Sequence, residues 1–397
     1  MVNPEPARNP LSRRRFAGSL VAGAVLTATA GSSPAQAHGR AHHHHAEQTR
    51  PLFLGTYTDQ DGGGKGIGLG SYDPVSGRIT ATGVIEGVHN PSYLAFGPSG
   101  SVLYAVNETV TAGEDGGVTA VALRPDGGHE VLGRRSTGGA GPCHLSVHPG
   151  GAWLLSANYL SGSVAVHPIG ADGALGERTD LKVHSSPAPG PGQDGPHAHQ
   201  VLTSPDGGHV LAVDLGTDTV YTYRLDTGSG TLTQVSTAAL RPGAGPRHLT
   251  FHPGGRIAYL ANEVDNTVVV CAYDVESGRL TPGEPLSTGT RPGVTSYPAQ
   301  FAVTADGAWA FLANRGDNTI TRYAIEDEGR ELRLLDTVPV GGDFPRHLAL
   351  SPDDRLLFTA NQKSGDVSVF TVGPGDGSLT SAGPAFDSPV AVCVRPR

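Results

Sequence analysis

The sequence predicts an all-β fold, a seven-bladed β-propeller with four-stranded antiparallel blades, and three observations carry that prediction. The stretch GPRHLTFHPGGRIAYLANE, residues 245–263, recurs in weaker copies along the chain, at a spacing of roughly 40 to 50 residues that suits propeller blades. Within a copy, apolar residues alternate on either side of a turn such as His-Pro-Gly-Gly, which is hairpin chemistry. The two ends of the chain carry incomplete copies that complete one another. The 57 glycines and 31 prolines of the 397 residues punctuate apolar runs at regular intervals, so they mark turns rather than low complexity. The length exceeds the roughly 150 residues of an ordinary domain, yet no linker interrupts the copies. One repeat-built domain over residues 51–397 is expected.

Aligning the copies on the proline that opens the first strand gives seven anchors: Pro91, Pro142, Pro196, Pro246, Pro298, Pro345 and Pro389. The clearest copy predicts strands over residues 247–251, 257–260, 267–273 and 280–285, with a turn over 274–278. No helix of useful length is predicted. The last anchor is followed by a single strand, AVCVRPR, whereas the strands PLFLGTYT, GIGLGSYD and RITATGVIE have no anchor before them. One carboxy-terminal strand and three amino-terminal strands make a blade, so the ring is expected to close there.

Residues 1–37 read as a targeting segment and are set aside from the fold. Ser12, Arg13, Arg14, Arg15 and Phe16 form a twin-arginine start, an apolar run follows from Ala17 to Ala30, and Pro34, Ala35, Gln36 and Ala37 supply a small-residue cleavage site. That run is shorter than the roughly 20 apolar residues of a membrane span. Export, with cleavage after about Ala37, is the expectation, and no membrane span is expected in the mature chain. Removing Glu5, Arg8, Arg13, Arg14 and Arg15 leaves 24 basic and 36 acidic residues, a net charge of −12. Such a chain repels nucleic acid. The three cysteines, Cys143, Cys271 and Cys393, are odd in number and far apart, which argues against a disulfide framework. Residues 38–50 carry His38 and His42 to His45 and are expected to be a disordered leader.

Comparing the copies with one another separates residues that serve the fold from residues that break the pattern. The first strand of a blade lies nearest the axis and the second runs back antiparallel. The residue after the anchor proline and the residue after the second strand's terminal Asn therefore meet at one mouth of the channel. The Asn itself recurs at positions 107, 158, 262, 314 and 361, with Asp214 in its place in one copy. It is expected to be structural, capping turns through nearby backbone. His144, His248 and His347 recur two residues after their anchors and are likewise expected to pack and hydrogen-bond.

The variable positions are different. After the Asn stand Glu108, Tyr159, Leu215, Glu263, Arg315 and Gln362, with Tyr57 for the first blade; after the anchor stand Ser92, Cys143, Arg247, Ala299, Arg346 and Val390. The copy GPHAHQVLTSP has two extra residues, and registering it on Pro205 puts His199 at the Arg247 position with His197 beside it. The expected funnel holds His199, Arg247, Glu263, Arg315 and Arg346, with Glu108, Tyr57, Tyr159 and His197 near by. Arginines offer forked donors to a carboxylate, a phosphate or a tetrahedral oxyanion, and Glu263 or His199 can deprotonate water. A salt-bridged channel lining without chemistry is the bland alternative.

Other patterns carry less. Residues 62–68, GGGKGIG, lack the Walker spacing and a following helix. Cys143 stands beside His144 with no orienting acid, and the His and Asp groups lack compact zinc spacing. No metal and no cofactor are expected.

The chain resembles the seven-bladed propeller lactonase family, which includes the propeller-type 6-phosphogluconolactonase and the fungal carboxy-muconate lactonising enzyme. The resemblance spans residues 51–397 and rests on LGTYT with Gly66 and Ile67, PHAH from Pro196 to His199, GPRH with His252 and Pro253, Asn262 with Glu263, and Pro345 with Arg346. It implies a polar cleft at the channel mouth and no required cofactor. The family's active His, Arg, Glu sixteen positions later and further Arg would fall on His199, Arg247, Glu263 and Arg315, residues that the blade comparison isolates separately. The expected function is an exported, monomeric, metal-independent lactonase acting on a lactone or anionic sugar-acid substrate. The lactone is of the sugar type, with or without a phosphate; Arg247 and Arg315 hold its carboxylate or phosphate and the developing oxyanion, Glu263 activates water and His199 orients or relays a proton. Arg346, His197, Glu108, Tyr57 and Tyr159 are expected to bind substrate. A lactonising cyclase and a non-enzymatic propeller that binds a partner or a cell-wall component are the alternatives.

Overall fold

In the computed structural model, residues 49–111, 113–185, 190 and 193–397 are described. The twin-arginine segment and the histidine tract lie outside them. Seven sheets follow one another around the chain. Blade 1 consists of Ala391–Pro396, Arg50–Thr56, Gly66–Tyr72 and Ile79–Glu86, in that order from the inside. Blades 2 to 7 run in sequence from first strands Leu94–Phe96, Pro142–Val147, Ala198–Thr203, Pro246–Phe251, Tyr297–Val303 and Pro345–Leu350. The chain is thus an all-β seven-bladed propeller. A single 3₁₀ turn, Asp327–Gly329, is the one helical element among the described residues.

Closure occurs as the chain ends suggested. The carboxy-terminal strand pairs antiparallel with the first, Leu52 opposite Pro396 and Leu54 opposite Val394. Strand Arg50–Thr56 opens one residue earlier than the sequence pattern placed it.

Seven apolar clusters fill the seven seams between neighbouring blades. In the closing seam, Leu52, Leu54 and Tyr72 of blade 1 pack on Leu356, Phe358 and Val367 of blade 7, and the Tyr72 and Phe358 rings meet edge to face at 5.0 Å. Alternation in the inner three strands supplies both faces of each seam. Fully burying one such leucine contributes about 1.5 to 3 kcal/mol, so the ring is held by many equivalent contacts and leaves its axial face to polar residues.

Two local devices position those axial residues. The first is a β-bulge after the anchor. In blade 5 the register passes from Pro246 opposite Asn262 directly to His248 opposite Ala261, leaving Arg247 as the extra residue. The same step makes Cys143, His199 and Arg346 the bulged residues of blades 3, 4 and 7. Neighbouring residues of a regular strand face opposite sides, and a bulge re-aims one of them; so Arg247 reaches Glu263 while His248 also faces inward. In blade 1 the step falls between Gly55 opposite Cys393 and Thr56 opposite Ala391. The residue equivalent to Arg247 is therefore Val392, not Val390.

The second device is a backbone clamp. The N–H of Glu263 donates to the Gly245 carbonyl at 2.7 Å, and the corresponding bonds run from Tyr159 to Gly141, from Glu108 to Asn90 and from Gln362 to Phe344. Each ties the residue after the Asn to the segment just before the anchor. Gly245 holds φ +61°, and a Cβ there would meet Val264 Cγ2 at 2.2 Å, so only glycine fits this corner. The Asn side chains mostly bond across to the third strand rather than to backbone: Asn262 Nδ2 donates to Thr267 Oγ1 at 3.0 Å and Asn158 Nδ2 to Ser163 Oγ at 3.0 Å.

Candidate active site

Residues from all seven blades line one pocket of about 310 Å³: Tyr57, Glu108, Thr109, Val110, Cys143, Tyr159, Leu160, His199, Glu263, Arg315 and Arg346. Seven of the nine site residues expected from the sequence line it. Arg247 lies just behind, nearly fully buried against Glu263, and His197 stands outside.

Glu263 is the centre of one half. Its Oε2 accepts from Arg315 Nη2 at 2.5 Å and lies 2.9 Å from Arg247 Nε. Both arginines engage the same oxygen, which leaves Oε1 without an ion-pair or hydrogen-bond partner among the described residues. Burial by itself would raise the Glu263 pKa, but Arg315 and Arg247 together hold it below the usual carboxylate value. It is therefore ionised at any ordinary pH. Arg247 is driven down to about 9 by burial and by the neighbouring Arg315 charge. Arg315 also donates through Nε to the Tyr297 carbonyl at 3.2 Å, so its fork is largely occupied.

Glu108 is the centre of the other half, and it has hydroxyl partners instead of cations. Tyr57 OH donates to its Oε2 at 3.0 Å, and Ser92 Oγ donates to the same oxygen. Arg346 faces this half with its guanidinium 5.9 Å above the Tyr57 ring. Among the described residues, no ion pair or hydrogen bond holds that guanidinium. Burial opposes its charge, yet Tyr57 and Glu108 raise its pKa above the ordinary arginine value. Arg346 is thus a permanent cation with donors to spare.

His199 completes the wall. Its ring meets Tyr159 edge-on at 5.6 Å and His248 at 5.3 Å. Burial and the charges of Arg247, Arg346 and Arg315 push its pKa well down, so the imidazole is neutral. Tyr159 is pushed up to about 12 by burial and the Glu263 charge and stays a phenol.

One expectation needs correction. His197 does not face the pocket: its ring stacks on Tyr159 at 4.5 Å, with Nε2 on Asp194 at 2.9 Å and Nδ1 on the Tyr159 carbonyl at 3.0 Å. Both nitrogens are occupied, because the backbone N–H of His197 is drawn to Asp214 Oδ1 at 2.8 Å and the ring is left behind Tyr159. The recurring histidines pack, as their repetition suggests, and they do so on one another and on Tyr93 from different blades. His144 and His248 meet at 5.4 Å across the axis, and Tyr93 lies 4.1 Å from His144 and 5.5 Å from His347. Burial keeps all three histidines neutral, His144 down to about 3, so they share the axis without repulsion.

Cys143, which lines the pocket, is no thiolate. Burial and the Glu108 charge push its pKa far up, and Sγ donates to the His199 carbonyl at 3.3 Å. Sequence comparison passes over Ser92 as a site residue, although its place in the anchor ring is visible, and it passes over Thr109, Val110 and Leu160, which follow the variable positions.

A family model for the seven-bladed β-propeller lactonase matches residues 51–396. The chain belongs to the seven-bladed β-propeller lactonase family. It is 31% identical to the 6-phosphogluconolactonase of Bacillus subtilis over 345 residues, 86% of this chain and 97% of that one. Among solved structures it is similar to the periplasmic gluconolactonase of Pseudomonas aeruginosa, with 30% identity and a TM-score of 0.82 over 88% of this chain and 99% of that one. A putative 6-phosphogluconolactonase from Bacteroides fragilis gives 27% identity and a TM-score of 0.81 over 89% and 99%. Family membership agrees with the ring of blades and with the order of the motifs that carried the resemblance. Among the described residues no helix is long and apolar enough to cross a membrane.

Proposed function

We propose that the chain is an exported, monomeric lactonase that hydrolyses a sugar-type lactone in this pocket, at the mouth of the propeller channel. The observation that carries the proposal is one pocket holding an ionised Glu263 with a free oxygen, a neutral His199 and an unpartnered Arg346 guanidinium. Water attacks the lactone carbonyl carbon while Glu263 Oε1 takes its proton. The carbonyl oxygen becomes an oxyanion beside Arg346, whose free donors suit developing charge better than Arg315, whose donors are taken by Glu263 and two backbone carbonyls, or Arg247, which lies buried behind Glu263. The ring C–O bond then breaks, and the proton held by Glu263 passes to the departing oxygen, with His199 as hydrogen-bonding partner or relay. The product is the open hydroxy acid.

Charge favours an unphosphorylated lactone. Three arginines stand against two glutamates, and His199 is neutral, so the site carries one net positive charge. That matches one oxyanion and leaves the roughly two further charges of a phosphomonoester without a partner inside the pocket. Export is supported by the Ser12 to Ala37 pattern and by the periplasmic gluconolactonase among the relatives.

The test is turnover of δ-gluconolactone, 6-phosphogluconolactone and a carboxy-muconate by the purified mature protein, above the spontaneous rate. Hydrolysis of the first, more efficient than of the second, is expected. Turnover of the muconate alone would replace the proposal with a cyclase, and inactivity on all three would leave a binding propeller.

A further inference from the structure

Glu108 and Glu263 occupy equivalent positions in blades 2 and 5, yet only Glu263 has cations. Glu108 receives two hydroxyl donors, Tyr57 and Ser92, on one oxygen. Its backbone is pinned on both sides, its N–H to the Asn90 carbonyl at 3.2 Å and its own carbonyl to Asn90 Nδ2 at 2.9 Å. Among the described residues no basic side chain forms an ion pair with it. A carboxylate fixed in this way at a pocket wall is an acceptor with a defined direction and an unfilled oxygen, Oε1. Beside it Arg346 is a donor with no acceptor. Val110 and Leu160 supply apolar surface at the same pocket.

An unfilled acceptor, an unfilled donor and an apolar wall together match a ring that carries hydroxyl groups on one edge and C–H groups on its face. We infer that Glu108, held by Ser92 and Tyr57, is the specificity-determining residue of the site. Its Oε1 accepts a hydrogen bond from a ring hydroxyl of the lactone, selecting polyhydroxylated lactones over unsubstituted ones of the same ring size. The inference rests on the lactonase proposal and deepens it. A site built to bond a substrate hydroxyl discriminates strongly against the analogue without it, because its own polar group is then left unpaired.

The experiment compares δ-gluconolactone with δ-valerolactone, which has the same six-membered lactone ring and no hydroxyls. Wild type is expected to prefer δ-gluconolactone in kcat/KM. In Glu108→Ala the ratio of the two kcat/KM values should fall about 10- to 100-fold, the effect of one lost charge-assisted hydrogen bond, carried mainly by KM for δ-gluconolactone. Glu108→Gln, which keeps the shape and one acceptor oxygen, should fall between wild type and Glu108→Ala. Equal losses on both lactones, or an unchanged ratio in a variant with wild-type Tm, would overturn the assignment. A second arm keeps the two proposals separate. Should wild type hydrolyse neither lactone, calorimetric binding of gluconate and of pentanoate decides. Gluconate binding that weakens about tenfold or more in Glu108→Ala supports hydroxyl recognition even as the lactonase proposal falls; absent or equal binding overturns both.

Discussion

The two halves of the pocket are built from the same pair of blade positions and handle charge in opposite ways. In the Glu263 half, the bulged Arg247 and the neighbouring blade's Arg315 converge on one carboxylate oxygen, at 2.9 and 2.5 Å. In the Glu108 half, the residue that follows the anchor of the same blade is Ser92, whose hydroxyl bonds the carboxylate, while Arg346 stands apart from it. The first arrangement locks a carboxylate in its ionised form and in one orientation, which suits proton transfer at a fixed point. The second leaves polar groups of both signs available to a ligand, which suits recognition. A repeat fold makes this division cheap, because exchanging one residue at each position converts one half into the other.

The largest expected effect comes from removing the charge at the centre of the first half. Glu263→Gln should lower kcat about 10²- to 10⁴-fold, the range of a lost general base, and a folded variant with wild-type turnover would remove Glu263 from the chemistry. Next comes Arg346→Gln, which should lower kcat about 10²- to 10³-fold, the scale of a lost oxyanion donor, with little change in Tm because no protein partner is abandoned. Arg315→Gln reverses that pattern. It abandons Glu263 and removes a bond to the Tyr297 carbonyl, so it should cost stability toward the lower part of the roughly 3 to 5 kcal/mol seen when a buried ion pair loses one member. Chemical denaturation of the two variants side by side measures the contrast; equal destabilisation would mean that Arg346 bonds the protein as firmly as Arg315 does.

The pH dependence should separate chemistry from stability. Glu263 has a folded pKa below its unfolded value, so its charge persists as pH falls and is lost only below about 4.5. Turnover, read as kcat/KM, should therefore be level from pH 8 to 5. The axial histidines 144, 248 and 347 and the pocket's His199 also have depressed folded pKa values. Their stabilising contribution is complete above the unfolded value near 6.5 and declines as pH falls, because the unfolded chain takes up protons that the folded chain refuses. Each costs about 1.4 kcal/mol per pH unit below that point. Tm should accordingly drop between pH 6.5 and 5 while activity at 25 °C holds. An activity limb near 6.5 would instead assign the base to an ordinary histidine.

Much of this architecture was legible because it repeats. Seven anchors and two complementary ends define seven blades, and the exceptions at Arg247 and Glu263 stand out against their siblings. Registering blade 4 on Pro205 placed His199 at the position equivalent to Arg247, and the bulge between Ala198 and Gln200 agrees. What the sequence hid depends on contacts between blades. Nothing local distinguishes the unpartnered Arg346 from the occupied Arg315, since their surroundings are drawn from other blades. His197 turned behind Tyr159 because Asp214, standing where other blades have Asn, captures its backbone. The axial histidines looked like blade furniture because each sees its siblings only across the closed ring.

The smallest expected effect concerns the residue that touches both halves. Cys143 is the bulged residue of blade 3 and lines the pocket. Burial and the Glu108 charge keep its thiol protonated, and that thiol donates to the His199 carbonyl. A nucleophilic role would require the thiolate, which this setting disfavours, and the proposed hydrolysis by water activated at Glu263 does not need it. Cys143→Ala should therefore change kcat less than about threefold, a loss far below that of a missing nucleophile or base. Alkylation by iodoacetamide at pH 7 should be slow for the same reason. Rapid modification with parallel loss of turnover would move the chemistry from Glu263 to Cys143 and erase the division between a reacting half and a recognising half.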